Sequence, residues 1–387
     1  MTLVLEEIAF NHDPAAVNHD AVNIRRSASA TVQIPEWRRG LSTRPEDSPA
    51  AYSINDVAGN AITIKARVHS SDPKLKTVEV RGVDPSEDEG CCPGCTNVLG
   101  TVAPRTIELR RGRSGLDEFV LQGVRLVDCG VGIRTVTWRW EYRLASGDSW
   151  RPFALTHHRI YSLISVPRKP WVQEPFGPGN TSVPWTDVLD YACWWASGAR
   201  TEDHAARMIT AAVYDLGPAV VTYDCPGGGS THYALPVFNC TAFIDRLRGG
   251  VGLGQYVNCT DCATISSTFA NALGCDLWQS RMGYFFELNE LLAIGSNAWQ
   301  TACGWGSFSY HEVAWEDDCT ADDDVFDACL QVDADADPTS APHTPLLPTD
   351  IRFGLSGQLT YRDRLASPAG RPNCNPQPAT RTRRAII

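Results

Sequence analysis

Apolar and polar residues alternate through the first part of the chain with the period of two that a half-buried β-strand requires. The clearest alternation sets five apolar residues against four polar ones: Val136, Trp138, Trp140, Tyr142 and Leu144, against Thr137, Arg139, Glu141 and Arg143. Similar stretches recur between residues 26 and 165, separated by Gly, Pro and Asp turns and without helical patterns between them. This spacing predicts an antiparallel β-sandwich domain of the immunoglobulin-like kind over residues 26–165.

Three segments lack this alternation. Residues 1–25 are predicted to be a poorly structured lead-in. Residues 166–184 contain five prolines and two glycines, a composition typical of a linker between domains. Residues 339–387 are rich in Pro and then in Arg, and are predicted to form a C-terminal strap over the core or a domain junction.

Helical periodicity appears after the linker. Apolar residues recur at helical spacing from Trp185 towards Gly198, and Thr201 followed by two acids is typical of a helix N-terminus. A third helical segment covers residues 238–248, and strand-like sequences follow further on. Helices followed by strands predict an α+β domain over residues 185–338.

Composition narrows the possible functions. The chain has 387 residues, 43 % of them hydrophobic and 20 % charged, and a formal net charge of −11. The acidic balance argues against nucleic-acid binding, and the absence of a long apolar run argues against a membrane span. The first residues do not resemble a secretory signal, so we expect a cytoplasmic protein whose 14 cysteines are mostly reduced and buried.

One cysteine lies where a nucleophile is expected. The glycine-rich segment 247–254 cannot hold a helix, whereas the residues from Cys259 to Gly274 are compatible with one. A cysteine at such a junction faces unpaired backbone N–H groups and the positive end of the helix dipole. Because both favour the thiolate, Cys259 is the candidate nucleophile.

A histidine and an aspartate follow in chain order. Residues 308–315 have the composition of a strand in which His311 could face a cleft, and residues 325–330 suggest a second short strand that contains Asp327. Cysteine, histidine and aspartate can act as nucleophile, base and the group that orients the base. Asp324 and Asp333 are rival carboxylates, and Asp327 is preferred for its strand context.

The local sequences around these residues resemble the core of the papain-like transglutaminase superfamily. In that family, alanine follows the nucleophilic cysteine by four residues and the helix ends in Ala-Leu-Gly. The histidine opens a His-x-x-x-Trp strand, and the aspartate lies in a Val-aromatic-Asp-Ala strand. The matching residues are Cys259, Ala263, Ala272, Leu273, Gly274, His311, Trp315, Val325, Phe326, Asp327 and Ala328. The resemblance extends over about residues 185–335.

This resemblance implies a transglutaminase-like α+β cysteine-enzyme core with a catalytic Cys259–His311–Asp327 triad. An aromatic-Asp pair that helps to form the oxyanion hole in many members is similar to Tyr223-Asp224. The side chain of Tyr223 and the backbone N–H of Cys259 would then be the oxyanion donors.

The predicted activity is acyl transfer at a carboxamide or peptide bond through a thioester, with a protein or peptide as substrate. Hydrolysis is favoured over amine cross-linking because water is the default acceptor. Two alternatives remain: a catalytically inactive binding or assembly protein with the same fold, and a thiol redox protein that uses the Cys-x-x-Cys pairs Cys92/Cys95 and Cys259/Cys262. The oligomeric state is not predicted.

No cofactor or metal is predicted. The two Cys-x-x-Cys pairs are far apart in sequence, which disfavours a shared zinc site, and Cys262 is interpreted as a core residue in preference to a regulatory thiol. Eleven acids and no Lys or Arg lie between Glu312 and Asp337. A calcium site is conceivable at the acidic stretch 316–337, but a solvated acidic face is the preferred interpretation.

Overall fold

The computed structural model describes residues 2–13, 17–85, 97–173 and 181–387. They form two compact units, one of Met1–Val166 with Gln173–Arg200 and the other of Pro167–Val172 with Thr201–Ile387. The predicted pair Cys92/Cys95 and part of the predicted linker lie outside the described residues. Within the described ranges, every helix is too short or too polar to span a membrane.

The first unit is built on a nine-stranded sheet with the order β2-β1-β4-β7-β6-β5-β8-β9-β3. Its strands are β1 (Leu3–Ala9), β2 (Trp37–Arg38), β3 (Pro49–Ser53), β4 (Thr63–Ser70), β5 (Thr77–Val83), β6 (Thr101–Glu108), β7 (Asp117–Gln122), β8 (Gly132–Arg143) and β9 (Arg151–Leu163). Trp138 and Trp140 of β8 are fully buried on one face of the sheet, as the alternation predicts. The arrangement of these strands as an immunoglobulin-like sandwich stays a prediction.

The prediction of a poorly structured lead-in was wrong for β1. This strand pairs with both β2 and β4, and its Leu3, Leu5 and Ile8 are buried. The pairing with β4 shifts register between Leu5 and Glu7, as in a β-bulge. Because the bulge breaks the period of two, the apolar residues of β1 do not show the alternation by which the other strands were recognised.

The described part of the first unit contains three α-helices: α1 (Ile54–Val57), α2 (Leu126–Cys129) and α3 (Thr186–Trp195). The amphipathic pattern from Trp185 therefore predicted a helix that the structure contains. The predicted boundary at residue 185 assigned α3 to the second domain, whereas its contacts place it in the first unit.

The second unit combines four helices with a five-stranded sheet of order β20-β17-β16-β12-β21. The helices are α4 (Glu202–Tyr214), α5 (Cys240–Leu247), α6 (Cys259–Ala272) and α7 (Tyr361–Leu365). The strands of the main sheet are β12 (Trp278–Met282), β16 (His311–Trp315), β17 (Asp324–Phe326), β20 (Thr349–Arg352) and β21 (Pro376–Thr382). Shorter strands are β10 (Thr222–Tyr223), β11 (Tyr256–Val257), β13 (Phe286–Glu287), β14 (Leu292–Ala293), β15 (Ser307–Phe308), β18 (Leu330–Asp333) and β19 (Pro345–Leu346). The chain is thus a mixed α and β protein in which strands predominate.

The C-terminal segment is not a strap. It supplies β20 and β21, the two edge strands of the sheet that also contains His311. Proline is tolerated on an edge strand because the missing N–H can face away from the ladder. Pro376 and Pro378 of β21 therefore gave the segment the composition of a loop although it pairs with β12.

Helix α6 is buried along its whole length. A buried helix with so many hydroxyl groups needs partners for them, and the helix supplies several itself. The hydroxyls of Thr264, Ser266 and Ser267 donate to the backbone carbonyls of Thr260, Cys262 and Ala263, four residues earlier, at 2.7–2.9 Å. This internal pairing lets a polar sequence form the central helix of the second unit.

Candidate active site

Cys259 is the first residue of α6, as predicted from the loop-to-helix junction. Asn258 caps the helix, since its side chain accepts the N–H of Asp261 at 3.0 Å and the Asp261 carboxylate accepts the N–H of Asn258 at 3.1 Å. This capping box fixes the backbone on both sides of Cys259. As the first residue of the helix, Cys259 lies at the positive end of the helix dipole. It is 5 % exposed, so its environment is nearly closed to solvent.

The same carboxylate anchors a neighbouring loop. Asp261 is fully buried and accepts three more backbone N–H groups, from His232, Tyr233 and Ala234, at 2.9, 2.7 and 2.9 Å. Burial raises the pKa of Asp261 above its usual range, although these hydrogen bonds oppose the rise. Asp261 thereby holds residues 232–234 against the N-terminus of α6.

His311 and Asp327 form a buried pair. The Nε2 atom of His311 lies 2.9 Å from Oδ2 of Asp327, with side-chain exposures of 0 % and 1 %. Burial lowers the pKa of His311, but the Asp327 charge, the hydrogen bond to Asp327 and the nearby Cys259 outweigh it and raise the pKa to about 10. Nε2 of His311 is paired with Asp327, so Nδ1 is the ring nitrogen left to interact with Cys259. Nδ1 is buried and has no hydrogen-bond partner among the described residues.

Asp327 lies in the turn between β17 and β18, not in the strand that its neighbours suggested. Its Oδ1 atom accepts the N–H groups of Cys329 and Leu330 at 2.8 and 3.3 Å. A side chain that binds the backbone two and three residues later ends a strand and forms a turn. This turn orients the other oxygen of Asp327, Oδ2, towards Nε2 of His311.

The rival carboxylates have other partners. Oδ2 of Asp333 lies 2.8 Å from Nδ1 of His343, whose Nε2 lies 2.8 Å from Glu290. Asp324 lies beside Glu316 and Asp350, with one carboxylate oxygen from each within 4.8 Å of the others. Among the three candidates, Asp327 is the one that the structure places on His311.

Cys259 opens on a cavity of about 210 Å³. The cavity is lined by Tyr223, Gly228, Gly229, Asn258, Cys259, Trp305, Ser307, Phe308, Ser309 and Tyr310. The ring of Phe308 stacks on His311, with centroids 5.4 Å apart and planes inclined by 12°. This stacking limits rotation of the imidazole and keeps it beside the cavity.

Two walls of the cavity are joined covalently. A disulfide links Cys225, which follows Tyr223, to Cys303, which precedes Trp305. The rings of Tyr223 and Trp305 lie 6.1 Å apart between centroids. Seven further described cysteines have free thiols and are buried, as predicted for most of the cysteines: Cys193, Cys259, Cys262, Cys275, Cys319, Cys329 and Cys374.

Tyr223 has the properties that an oxyanion donor requires. It is 5 % exposed, and both it and Cys259 line the cavity. Burial and the nearby Cys259 raise the pKa of Tyr223 far above its usual range, so the hydroxyl keeps its proton at neutral pH. The backbone N–H of Cys259 is one of the first-turn donors that a helix leaves without an internal partner.

Asp224 fixes the loop that follows Tyr223. Its carboxylate accepts the N–H groups of Gly227 and Ser230 at 2.7 and 3.1 Å, and lies 3.0 Å from Nε2 of His232. Burial opposes ionisation, but these hydrogen bonds outweigh it and lower the pKa of Asp224 below its usual range. Asp224 is therefore a structural anion of the cavity wall.

Glu312, which follows His311 in β16, is the centre of a buried network of charges. Glu312 is 2 % exposed and forms ion pairs with Arg384 and with Arg281, the latter at 3.3 Å. Thr260 also donates to Glu312, at 3.1 Å. The sheet beside the candidate nucleophile thus contains a carboxylate whose charge is compensated by a residue just beyond β21.

The remaining predicted residues have less direct roles. Cys262 is 1 % exposed and free, and its thiol shares a hydrogen bond with Cys329.

The carboxylates of Glu316, Asp324 and Asp350 are the described group that could hold a metal ion. Burial and neighbouring carboxylates raise the pKa of Glu316 to about 7. Asp350 already forms an ion pair with Arg207.

Several residues of the site were missed by sequence reasoning. Tyr361, Arg384 and the disulfide partner Cys303 lie far from the motif in sequence, and no local pattern marks them. Asp261 could have been found, because Asn258 followed three residues later by an acid is the signature of a capping box.

No protein-family model matches the chain, and no curated protein matches it. Among solved structures, the chain is similar to the crystal structure of red sea bream transglutaminase, with a TM-score of 0.35 and 13 % sequence identity. The match covers 70 % of this chain and 48 % of that one, so the chain spans about half the length of the fish enzyme. A similarity at this TM-score carries no argument about fold or residue roles.

Proposed function

We propose that the second unit is a cysteine enzyme that transfers an acyl group from a carboxamide or peptide bond through a thioester. The observation that carries the proposal is the buried His311–Asp327 pair, whose second ring nitrogen is left for the thiol of Cys259 at a helix N-terminus. A transglutaminase-like core is the fold that we propose for this unit.

The first half-reaction follows from this arrangement. Cys259 transfers its proton to Nδ1 of His311, and the thiolate attacks the carbonyl carbon. The O–H of Tyr223 and the backbone N–H of Cys259 stabilise the oxyanion that forms. When the C–N bond breaks, the imidazolium returns the proton to the departing amine or ammonia, and a thioester remains.

The second half-reaction determines the class of enzyme. His311 takes a proton from the incoming acceptor, which adds to the thioester, and the sulfur leaves as Cys259 regains its proton. We propose water as the acceptor, which makes the enzyme a protease or amidase. The polar residues Ser307 and Ser309 are among those that line the cavity, which supports the choice of water. A protein or peptide is the proposed substrate.

The proposal is tested by the alkylation rate of each cysteine at pH 6, measured by peptide mass spectrometry. An ordinary thiol is almost wholly protonated at this pH, so a paired thiolate reacts much faster. We expect Cys259 to react first, and to slow at least tenfold in His311→Ala. Cys129 is the internal reference, because its side chain is partly exposed whereas that of Cys259 is buried.

Turnover provides the second test. Cys259→Ala should abolish release of amine or ammonia from peptide substrates and change the melting temperature little. A large loss of stability, or equal reactivity of Cys259 and Cys129, would contradict the proposal. Adding an amine acceptor in ¹⁸O-labelled water distinguishes hydrolysis from cross-linking by the mass of the product.

A catalytically inactive binding or assembly protein is the second candidate. The observation that favours it is the closure of the site, because Cys259 is only 5 % exposed and His311 is fully buried. An inert Cys259 in the alkylation assay is the result that this candidate predicts.

A further inference from the structure

A buried tyrosine completes the hydrogen bonding of Asp327. The hydroxyl of Tyr361, the first residue of α7, donates to Oδ2 of Asp327 at 2.7 Å. The same oxygen is 2.9 Å from Nε2 of His311. The other oxygen, Oδ1, accepts the N–H groups of Cys329 and Leu330. Both oxygens of a carboxylate that is 1 % exposed are therefore occupied from within the second unit.

We propose that Tyr361 is a positioning residue that sets how strongly Asp327 holds the proton of His311, an inference that rests on the proposed cysteine-enzyme function. Tyr361 does not reach the cavity and touches no reacting atom. It acts through Asp327, and Asp327 acts through His311.

The hydroxyl of Tyr361 and the imidazole of His311 share one oxygen of Asp327. A hydrogen bond to a charged acceptor is stronger than one between neutral groups. The O–H of Tyr361 stabilises the negative charge on Oδ2 and so reduces the attraction that this oxygen exerts on the imidazolium. Without the hydroxyl, Asp327 would hold the proton of His311 more tightly. The imidazolium would then be a weaker acid towards the leaving amine.

Tyr361 has the state and the surroundings that this role needs. It is fully buried, and burial together with the Asp327 charge raises its pKa well above the usual range. The hydroxyl is consequently a permanent donor. Its ring lies 6.4 Å from that of Phe353 between centroids, so the side chain is enclosed by the second unit.

The placement of Tyr361 does not depend on Asp327. The next residue of α7, Arg362, donates its backbone N–H to the carbonyl of Phe353 at 3.0 Å and its Nε–H to that of Cys374 at 2.6 Å. Asp363 accepts the N–H groups of Gly357 and Leu359 at 2.6 and 3.2 Å. The rest of the helix is thus held by its own contacts, and the hydroxyl of Tyr361 is presented to Asp327.

The test compares Tyr361→Phe with a matched control, Tyr161→Phe. Tyr161 is also buried, and its hydroxyl donates to a carboxylate, that of Asp190, at 2.6 Å within the first unit. Both variants lose one hydroxyl and one hydrogen bond to an aspartate. Only the first is expected to alter His311.

The primary measurement is the titration of His311 by NMR, with the imidazole signals assigned from His311→Ala. In wild type we expect a midpoint near the pKa of about 10 given by its surroundings. In Tyr361→Phe the midpoint should rise by about one pH unit, the scale of one hydrogen bond to a charged group. In Tyr161→Phe it should not move. The pH range over which Cys259 reacts rapidly should widen in the first variant alone.

The outcomes separate the inference from the proposed function. An unchanged midpoint in Tyr361→Phe, with a melting temperature lowered as in Tyr161→Phe, would overturn the inference and leave a packing role. If the midpoint rises but Cys259 proves inert in wild type, the positioning role stands and the proposed enzyme fails. If Cys259 is reactive and the midpoint is unchanged, the enzyme stands and the inference fails.

Discussion

Individual carboxylates organise this protein, and each does so with a different set of partners. Asp261 binds backbone N–H groups alone, Asp327 binds a histidine and a tyrosine, and Glu312 binds two arginines. The partners of Asp261 hold the backbone in place, whereas Asp327 holds the proton on Nε2 of His311. The charge of Glu312 is balanced by its arginines inside the sheet. The same residue type therefore contributes structure or candidate chemistry according to its donors.

His343, which lies between the carboxylates of Asp333 and Glu290, should make the stability of the protein depend on pH. Hydrogen bonds to Asp333 raise its pKa, and Glu290 adds to the rise against the opposing effect of burial. A raised folded-state pKa means that the stabilisation is fully present below the unfolded pKa of about 6.5 and is lost as the pH rises through the folded value. In His343→Gln we expect a melting temperature about 2–4 °C below wild type at pH 5.5 and a smaller difference at pH 9.

The control for this prediction is a histidine outside such a pair. His204 is exposed on α4 and has no carboxylate partner among the described residues, so His204→Gln should show the same difference from wild type at both pH values. A His343→Gln deficit that grows with pH would contradict the assignment.

At the scale of elements, the sheet of the second unit depends on strands that come late in the chain. β16, which carries His311, is flanked by β12 and β17, and these are flanked in turn by β21 and β20. Arg384, two residues after β21, reaches Glu312 beside His311. The late segment therefore contributes both hydrogen-bonded edges and the charge that Glu312 requires.

Removing that charge should be costly. Arg384→Met leaves Glu312 buried with a weaker set of partners, and we expect the free energy of unfolding to fall by about 3 kcal/mol. Urea unfolding, followed by the tryptophan fluorescence to which the buried Trp315 of this sheet contributes, measures this loss. The double variant Glu312→Gln/Arg384→Met should recover part of it, because no buried carboxylate remains and the charge of Arg281, whose side chain is 39 % exposed, can be hydrated. Equal losses in the single and double variants would show that Arg384 acts through packing.

The sequence predicted the elements that obey a simple period, and missed those that do not. The strand with Trp138 and the helix that starts at Cys259 were predicted from local pattern alone. β1 was missed because a bulge shifts its register, and β21 because its prolines lie on an edge. The triad residues could be proposed from their order and motif context. Tyr361 and Cys303 could not, since long-range contacts alone bring them to the site.

At the scale of the whole molecule, the chain passes between its two units more than once. It leaves the first unit for residues Pro167–Val172, returns for Gln173–Arg200, and completes the second unit afterwards. Trp171 is 1 % exposed and donates its Nε1–H to the carbonyl of Thr268 in α6 at 2.8 Å. A short passage of chain within the first half of the sequence thus belongs to the core of the second unit.

Trp171→Ala tests this assignment. Loss of a large buried side chain should destabilise the second unit by about 3–5 kcal/mol. The measurement is the temperature at which Cys259 becomes accessible to alkylation, which reports on α6. Trp194→Ala, at a tryptophan of the first unit that is 67 % exposed, is the control and should leave that temperature unchanged. Equal effects of the two substitutions would contradict the assignment.

The position of β21 in the chain has a consequence for biosynthesis. A ribosome makes a chain from its N-terminus towards its C-terminus, so Cys259, His311 and Asp327 are all synthesised before Tyr361, β21 and Arg384. When Asp327 has just been made, neither edge strand of the sheet that contains His311 has been synthesised, and Glu312 has Arg281 but lacks Arg384 as an ionic partner. Long-range pairing of this kind forms late in folding. The candidate site therefore cannot gain all of its described contacts before residue 384 has been synthesised.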